Sequence, residues 1–289
     1  MGREGAMRLP DVARWITKAR RMLMTRGRPG EARPPAASDG MTSEEKFLFD
    51  LEGYLVIKQV LRAEEVAALN TLAEGRGPAL SGGQRYGRVF RASAWGPPYQ
   101  ALIDHPRIVP YLVALIGRRF RLDHDYCIFM TKGGTGQELH GGEGDENPDH
   151  WYKYRDGVMR NGLTVVSFCL SPANDGDGGF ACIPGSHKSH FAASLEADVR
   201  SFRRRPHYVV QPPLEAGDAV IFTEALIHGT APWTADHERR ALLYKYSPGH
   251  SAWMKEYYDA GAYTGLTEQQ KRILAPPSVG GRPPSVPRR

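Results

Sequence analysis

His228 and Arg239 stand eleven residues apart in the stretch 217–246, GDAVIFTEALIHGTAPWTADHERRALLYKY. A neutral imidazole at a strand end is a ready ligand for a divalent metal, and an arginine opening a returning strand can hold a carboxylate through two parallel N–H bonds. The pair points to a metal on one side and an organic acid on the other. Taken alone, the same residues equally suit a histidine satisfied by a backbone carbonyl and an arginine on a solvated edge. A second ligand elsewhere is needed, and His140, after the Gly- and Gln-containing segment 133–137, is the candidate.

Residues 219–222 and 241–246 are β-branched and aromatic runs that read as strands. Pro232 and the polar 234–238 lie between them, so the stretch is expected to be a hairpin with its chemistry at the shoulders. Further strands are predicted at 53–57, 122–130, 163–170 and 180–183, separated by turns such as 174–179 and 184–188. Helices are expected at 44–51, 61–73 and 108–116. The Gly-rich 75–87 lacks the order of a phosphate cradle and reads as a linker or lid. The fold expected is mainly β with flanking helices on a double-stranded β-helix, a jelly-roll or cupin-like core.

The 289 residues, 41% of them hydrophobic, suffice for one large β-rich domain with extensions. The formal charge of +6 is not spread evenly. Residues 1–43 carry nine Arg/Lys against four Asp/Glu, and residues 266–289 carry five against one, so the middle is slightly acidic. A basic groove for nucleic acid is not expected in the folded body. Nor does any run of about 18 apolar residues occur, so no membrane span is predicted. Cys127, Cys169 and Cys182 form no C-x-x-C spacing, which excludes a disulfide framework and a zinc knuckle and points to a reducing compartment. The organisation expected is a basic, disordered extension over 1–43, a domain over 44–265 and a Pro/Gly-rich basic tail over 266–289. The cytoplasm is the expected location, with organelle targeting by the Arg-rich start as the alternative.

Four elements in this order resemble the phytanoyl-CoA dioxygenase-like family of non-haem Fe(II)/2-oxoglutarate oxygenases. They are GYLVIKQVLRAEEVAAL at 53–69, the histidine after 137–139, GDGGFACIPGSHK at 176–188, and His228-Gly229-Thr230 with Arg239 beyond it. The resemblance spans roughly residues 46–255 and implies the jelly-roll core. It further implies that His140 and His228 hold the iron, that Arg239 pairs with the distal carboxylate of 2-oxoglutarate with Arg240 as the fallback clamp, and that Thr230 hydrogen-bonds this cosubstrate. His187 is implied to be structural.

The chain departs from the family pattern at one point. The family's metal triad is His-x-Asp/Glu followed by a distant His, because residues i and i+2 of a strand share a face. Here the carboxylate position is Gly142. In one reading an acid of the following loop, Asp145, or a water takes its place, and the protein is a hydroxylase using O2 on a small organic substrate. In a second, chloride fills the vacancy, as the resemblance to iron halogenases implies. In a third the domain is a non-catalytic ligand-binding or regulatory relic. A jelly roll is also the scaffold of cupin-type isomerases and sugar-binding modules, for which the two histidines would be coincidental and Arg239 a surface residue. Trp95, Tyr99, Trp151, Tyr152 and Tyr154 lie in segments that could line a substrate mouth, or could be plain core.

Overall fold

The first helix begins where the sequence supplies its own cap. Thr42 Oγ1 accepts from the Glu45 N–H (3.1 Å) and the Glu45 carboxylate accepts from the Thr42 N–H (2.7 Å), a reciprocal capping box. Gly53, at φ +82°, ends the helix and turns the chain directly into a strand. The computed structural model describes residues 40–78, 85–142 and 148–287. The expected extension over 1–43 therefore lies almost wholly outside the described residues.

In chain order the longer elements are α1 (Ser43–Glu52), β1 (Tyr54–Ile57), α2 (Ala63–Ala73), β2 (Tyr86–Phe90), α3 (Val109–Leu115), β3 (Phe120–Met130) and β4 (Gln137–His140). They continue with β5 (Tyr152–Arg155), β6 (Val158–Asn161), β7 (Thr164–Cys169), β8 (Gly179–Cys182), β9 (Ala219–Thr223), β10 (His228–Ala231), β11 (Arg239–Pro248) and α4 (Glu268–Leu274). A six-stranded antiparallel sheet has the order β1-β9-β7-β11-β3-β2, and a three-stranded sheet the order β4-β10-β8. β5 and β6 form a separate ribbon.

Strand alternation divides the large sheet into two faces. On the inner face Tyr126, Ile128 and Met130 of β3 and Ala241 and Leu243 of β11 pack in one cluster with Phe180 and Cys182 of the small sheet. Cys127, Phe129, Leu242 and Tyr244 point the other way and pack with Leu69, Leu112 and Ile273 of the helices. The expected jelly roll with a helical flank is this arrangement, and the space between the two sheets is where the chemistry lies.

Two expectations need correction. Residues 217–246 are not a hairpin: β7 lies between β9 and β11, and His228–Ala231 is a third strand, in the other sheet. The buried run 164–169 pairs with both β9 and β11 and so keeps them apart, while the intervening chain crosses to the small sheet. The second correction concerns the tail. Residues 266–287 are more than a Pro/Gly-rich basic tail: α4 carries its own capping box from Thr267, buries Ile273 and Leu274, and is followed by Ser285, whose hydroxyl donates to the Phe120 carbonyl. Among the described residues no helix is long and apolar enough to cross a membrane, and the three cysteines are buried.

Candidate active site

The small sheet brings the two histidines together. His228 opens β10 and is the direct cross-strand partner of His140, which closes β4, and their ring centroids lie 4.5 Å apart. Each ring donates its Nδ1–H to a backbone carbonyl two residues earlier, His140 to Glu138 and His228 to Leu226, both at 2.7 Å. That fixes the tautomer and leaves a lone pair on each Nε2, the arrangement in which a metal-ligating imidazole is held. Burial drives both histidines toward the neutral form, lowering the His140 pKa and pushing that of His228 down to about 3.

A carboxylate that the sequence reading did not single out completes the group. Glu224 follows β9 and sits 2% exposed, with Oε2 3.7 Å from His228 Nε2. The ligand atoms of His140, Glu224 and His228 all lie within 4.8 Å of one another. Burial alone would raise the Glu224 pKa, but the Lys245 ammonium and the surrounding imidazoles outweigh it and hold the carboxyl well below its usual range. Lys245, on the inner face of β11, donates to Glu224 Oε1 at 2.5 Å and leaves Oε2 turned toward the histidines. Two imidazole lone pairs and one ionised oxygen form a donor set suited to a divalent transition metal. The sequence held one signal for Glu224, an acid inside the otherwise buried run 219–228, but its proximity to His140 exists only in the fold.

The glycines after His140 explain how the carboxylate gets there. Gly141 has φ +98°, and a Cβ on it would stand 2.4 Å from the Leu226 carbonyl and 2.8 Å from that of Glu224. Only a residue without a side chain lets the 224–226 turn close against β4. Gly142 is also left-handed, at φ +101°, with its Cβ position 3.0 Å from Ala192. The strand has ended by this point, so the rule that i and i+2 share a face does not carry from His140 to Gly142. Asp145, the loop acid considered as a replacement ligand, lies outside the described residues.

Across the cavity the inner face of the large sheet contributes Arg239, the first residue of β11, 6% exposed. Among the described residues its one hydrogen bond goes to Met130 Sδ at 3.6 Å, and no carboxylate of those residues lies within 4 Å. Burying a guanidinium without a counter-ion is costly, so the position is suited to binding an anion. Gly179 keeps it open: a Cβ there would lie 2.8 Å from Arg239 Nε. The cavity, about 30 Å³, is lined by Arg239, Thr230, His140, His228 and Gln137, with Ile128, Phe180, Phe222 and Leu243 as apolar wall. Arg240 does not reach it. One residue further along the strand, it points to the outer face, where it binds Glu238 (2.5 Å) and Asn70 (3.2 Å).

Other predicted residues stay apart from the site. Trp95 and Tyr99 pack on each other in the outer core at 5.0 Å, and Tyr99 donates to the Leu69 carbonyl. Tyr152 is buried against His187 and donates to Asp50, while Tyr154 is exposed on the β5–β6 ribbon. His187 ties the exit of β8 to the Asp50 carbonyl of α1. These aromatics are framework rather than mouth.

The family model for phytanoyl-CoA dioxygenase (PhyH) matches residues 49–241. Among solved structures, the chain is similar to HygX from Streptomyces hygroscopicus with nickel, 2-oxoglutarate and hygromycin B bound, at 23% identity and TM-score 0.64, covering 78% of this chain and 93% of that one. The alpha-ketoglutarate-dependent carbocyclase SnoK from nogalamycin biosynthesis matches at 19% identity and TM-score 0.57, covering 75% of this chain and 88% of that one. EctD from S. alaskensis matches at 20% identity and TM-score 0.56, covering 74% and 79%. The matched span takes in two thirds of the sequence, including His140, Glu224, His228 and Arg239, and the chain belongs to the phytanoyl-CoA dioxygenase family of Fe(II)/2-oxoglutarate-dependent oxygenases.

Proposed function

We propose that this chain hydroxylates an unactivated C–H bond of a small organic substrate, with His140, Glu224 and His228 holding the iron and Arg239 and Thr230 holding the distal carboxylate of 2-oxoglutarate. The observation that carries the reading is the meeting, around one cavity, of His140 and His228, which Glu224 joins in a His/Glu/His donor group, with a guanidinium that has no counter-ion among the described residues. Iron and 2-oxoglutarate, when bound, supply the oxidising power, consuming O2 and releasing succinate and carbon dioxide. The chain's own residues do the positioning. The carbonyls of Glu138 and Leu226 keep the two Nε2 lone pairs aimed inward, and Lys245 takes one Glu224 oxygen so that the other is free for the metal. Arg239 offers a bidentate grip that fixes the cosubstrate end to end, while Phe180, Phe222, Ile128 and Leu243 keep bulk water away. HygX has been solved with both 2-oxoglutarate and hygromycin B bound, and a polar small molecule is the substrate class we carry to this chain. Three buried cysteines with no C-x-x-C spacing favour the cytoplasm.

The halogenase reading rests on Gly142, with no carboxylate at the position where the family has one. Glu224 argues for hydroxylation instead, because it already brings an anion to the two histidines and removes the charge deficit that a halide would fill. Anaerobic titration of the apoprotein with Fe(II) and 2-oxoglutarate, with and without chloride, separates the two. The visible charge-transfer band is expected to form and ignore chloride in the unaltered protein. In Glu224→Ala, iron should bind at least about tenfold more weakly and the band should become chloride-sensitive. Chloride sensitivity in the unaltered protein would favour halogenation, and no band at all would favour a non-catalytic domain.

A further inference from the structure

Gln137 reaches the metal cavity because β4 is irregular. Residues three apart on a regular strand face opposite ways, yet Gln137 and His140 both line the cavity. A bulge reconciles them. His140 is the partner of His228 and Gln137 that of Thr230, so three steps along β4 match two along β10. Bulges beside active sites re-aim a side chain, and two glycines make room for this one. At Gly136, φ +71°, a Cβ would run into the Thr230 carbonyl. At Gly229 it would stand 2.8 Å from the Gln137 carbonyl and 2.9 Å from that of Glu138.

The Gln137 amide is also held in one orientation from behind. Arg88 Nη2 donates to Gln137 Oε1, and Arg88 Nε donates to the Tyr86 hydroxyl at 2.5 Å. The guanidinium lies over the Tyr86 and Tyr126 rings, 5.4 and 5.3 Å from their centroids. A guanidinium only donates, so the amide oxygen faces Arg88 and the amide nitrogen faces the cavity. There Gln137 Nε2 stands 3.3 Å from His140 Nε2. His140 gives its Nδ1–H to the Glu138 carbonyl, so its Nε2 is the acceptor of this pair. The N–H thus points at the lone pair that His140 has for a metal. With that lone pair given to iron, the N–H needs another acceptor in the same place, and an anion held beside the metal is the one it suits.

We infer that Gln137, braced by Arg88, is a cosubstrate-binding residue whose N–H donates to the keto-acid carboxylate of 2-oxoglutarate, the end opposite to the one Arg239 holds. The inference rests on the reading of this cavity as an Fe(II)/2-oxoglutarate centre and adds to it the group that recognises the second carboxylate. The amide acts in opposite senses on the two ligands. It competes with the metal for the His140 lone pair, and it strengthens cosubstrate binding through a charge-assisted hydrogen bond.

The test compares the full chain with two variants. Gln137→Glu is isosteric and keeps an oxygen for Arg88, whereas Gln137→Leu has neither donor nor acceptor. Calorimetry measures Zn(II) affinity without cosubstrate and 2-oxoglutarate affinity in the Zn(II)-loaded chain. Gln137→Leu should bind Zn(II) about two- to tenfold more tightly, the worth of one ordinary hydrogen bond, and 2-oxoglutarate at least about tenfold more weakly. Gln137→Glu should lose at least as much cosubstrate affinity as Gln137→Leu, because an anion replaces the donor. A side chain that only filled space would give the reverse order, with Gln137→Glu close to the unaltered protein. In anaerobic Fe(II) samples saturated with 2-oxoglutarate, the charge-transfer band of Gln137→Leu should lie at shorter wavelength, since a keto acid without this donor is a poorer electron acceptor. The inference is overturned if Gln137→Glu keeps the unaltered affinity for 2-oxoglutarate, or if Gln137→Leu loses Zn(II) affinity along with it. It is also overturned if Gln137→Leu leaves both the cosubstrate affinity and the band unchanged. Absence of the band from the unaltered protein would overturn the oxygenase reading and this inference with it, whereas a band that the variants do not alter counts against Gln137 alone.

Discussion

Arg239 and Arg240 are neighbours with opposite environments, and alternation along β11 is the whole difference. Arg239 is desolvated without an anion, and burial pulls its pKa down; Arg240 has Glu238 and Asn70. The sequence reading placed the clamp at one of the two but could not assign the inner face without knowing the register of β11 against β3. The two substitutions should therefore separate cleanly. Arg239→Met removes a buried charge that has no paired carboxylate among the described residues, and it should leave apoprotein at least as stable in urea. The same change should raise the Kd for 2-oxoglutarate by about 100-fold or more, which is about 2.7 kcal/mol. Arg240→Ala should leave that Kd within about twofold. Calorimetric titration of the Zn(II)-loaded variants measures both. A cosubstrate affinity lost with Arg240 and kept with Arg239→Met would put the clamp on the wrong face of the strand.

At the scale of elements, the long apolar strands were legible and the short polar one was not. The run 163–170 announces itself because a strand buried on both faces is largely apolar, and 122–130 because it alternates and then runs apolar from Tyr126. β10 reads His-Gly-Thr-Ala, and its pairing with β4 and β8 is a tertiary fact with no local signature. The same blind spot hid Glu224. Expecting the missing carboxylate near Gly142 assumed that β4 continued past His140, whereas two left-handed glycines end it and let another segment deliver the acid. This makes Gly141 a positioning residue for Glu224. Gly141→Ala should cost about 2–4 kcal/mol through the clash with the Leu226 and Glu224 carbonyls and the strain of φ +98°. Gly265→Ala is the control: also left-handed at φ +69° but with nothing within 4 Å, it should cost only about 1 kcal/mol. Urea midpoints give the stabilities. Zn(II) titration of the folded fraction should show weaker metal binding in Gly141→Ala alone, and equal affinity in the two variants would detach Gly141 from the site.

For the molecule as a whole, the face of the large sheet away from the metal must be covered, and the C-terminal segment shares that work. Its Pro/Gly-rich, basic composition reads as a tail because composition reports average solubility, not the few residues that are buried. Ile273 is 0% exposed and Leu274 2%, both within the core cluster that contains Phe120, Tyr244 and Tyr246 of the large sheet. Arg282, usually a surface residue, clasps the segment by donating to the carbonyls of Arg272, Ala275 and Pro276. Burying Ile273 and Leu274 contributes about 1.5–3 kcal/mol each, set against the entropy of ordering the segment. A chain ending at residue 265 should therefore lose several kcal/mol of stability in urea and expose apolar surface at the start of β3. Ile273→Ala in the full chain should lose about 2–5 kcal/mol, the usual cost of emptying a core position. The metal group lies on the opposite face of the sheet, so Ile273→Ala should keep its Zn(II) affinity under conditions where it remains folded. If the truncated chain unfolded at the same urea concentration as the full one, the segment would be the passenger that its composition suggests, and the outer core would have to be closed by α2 and α3 without it.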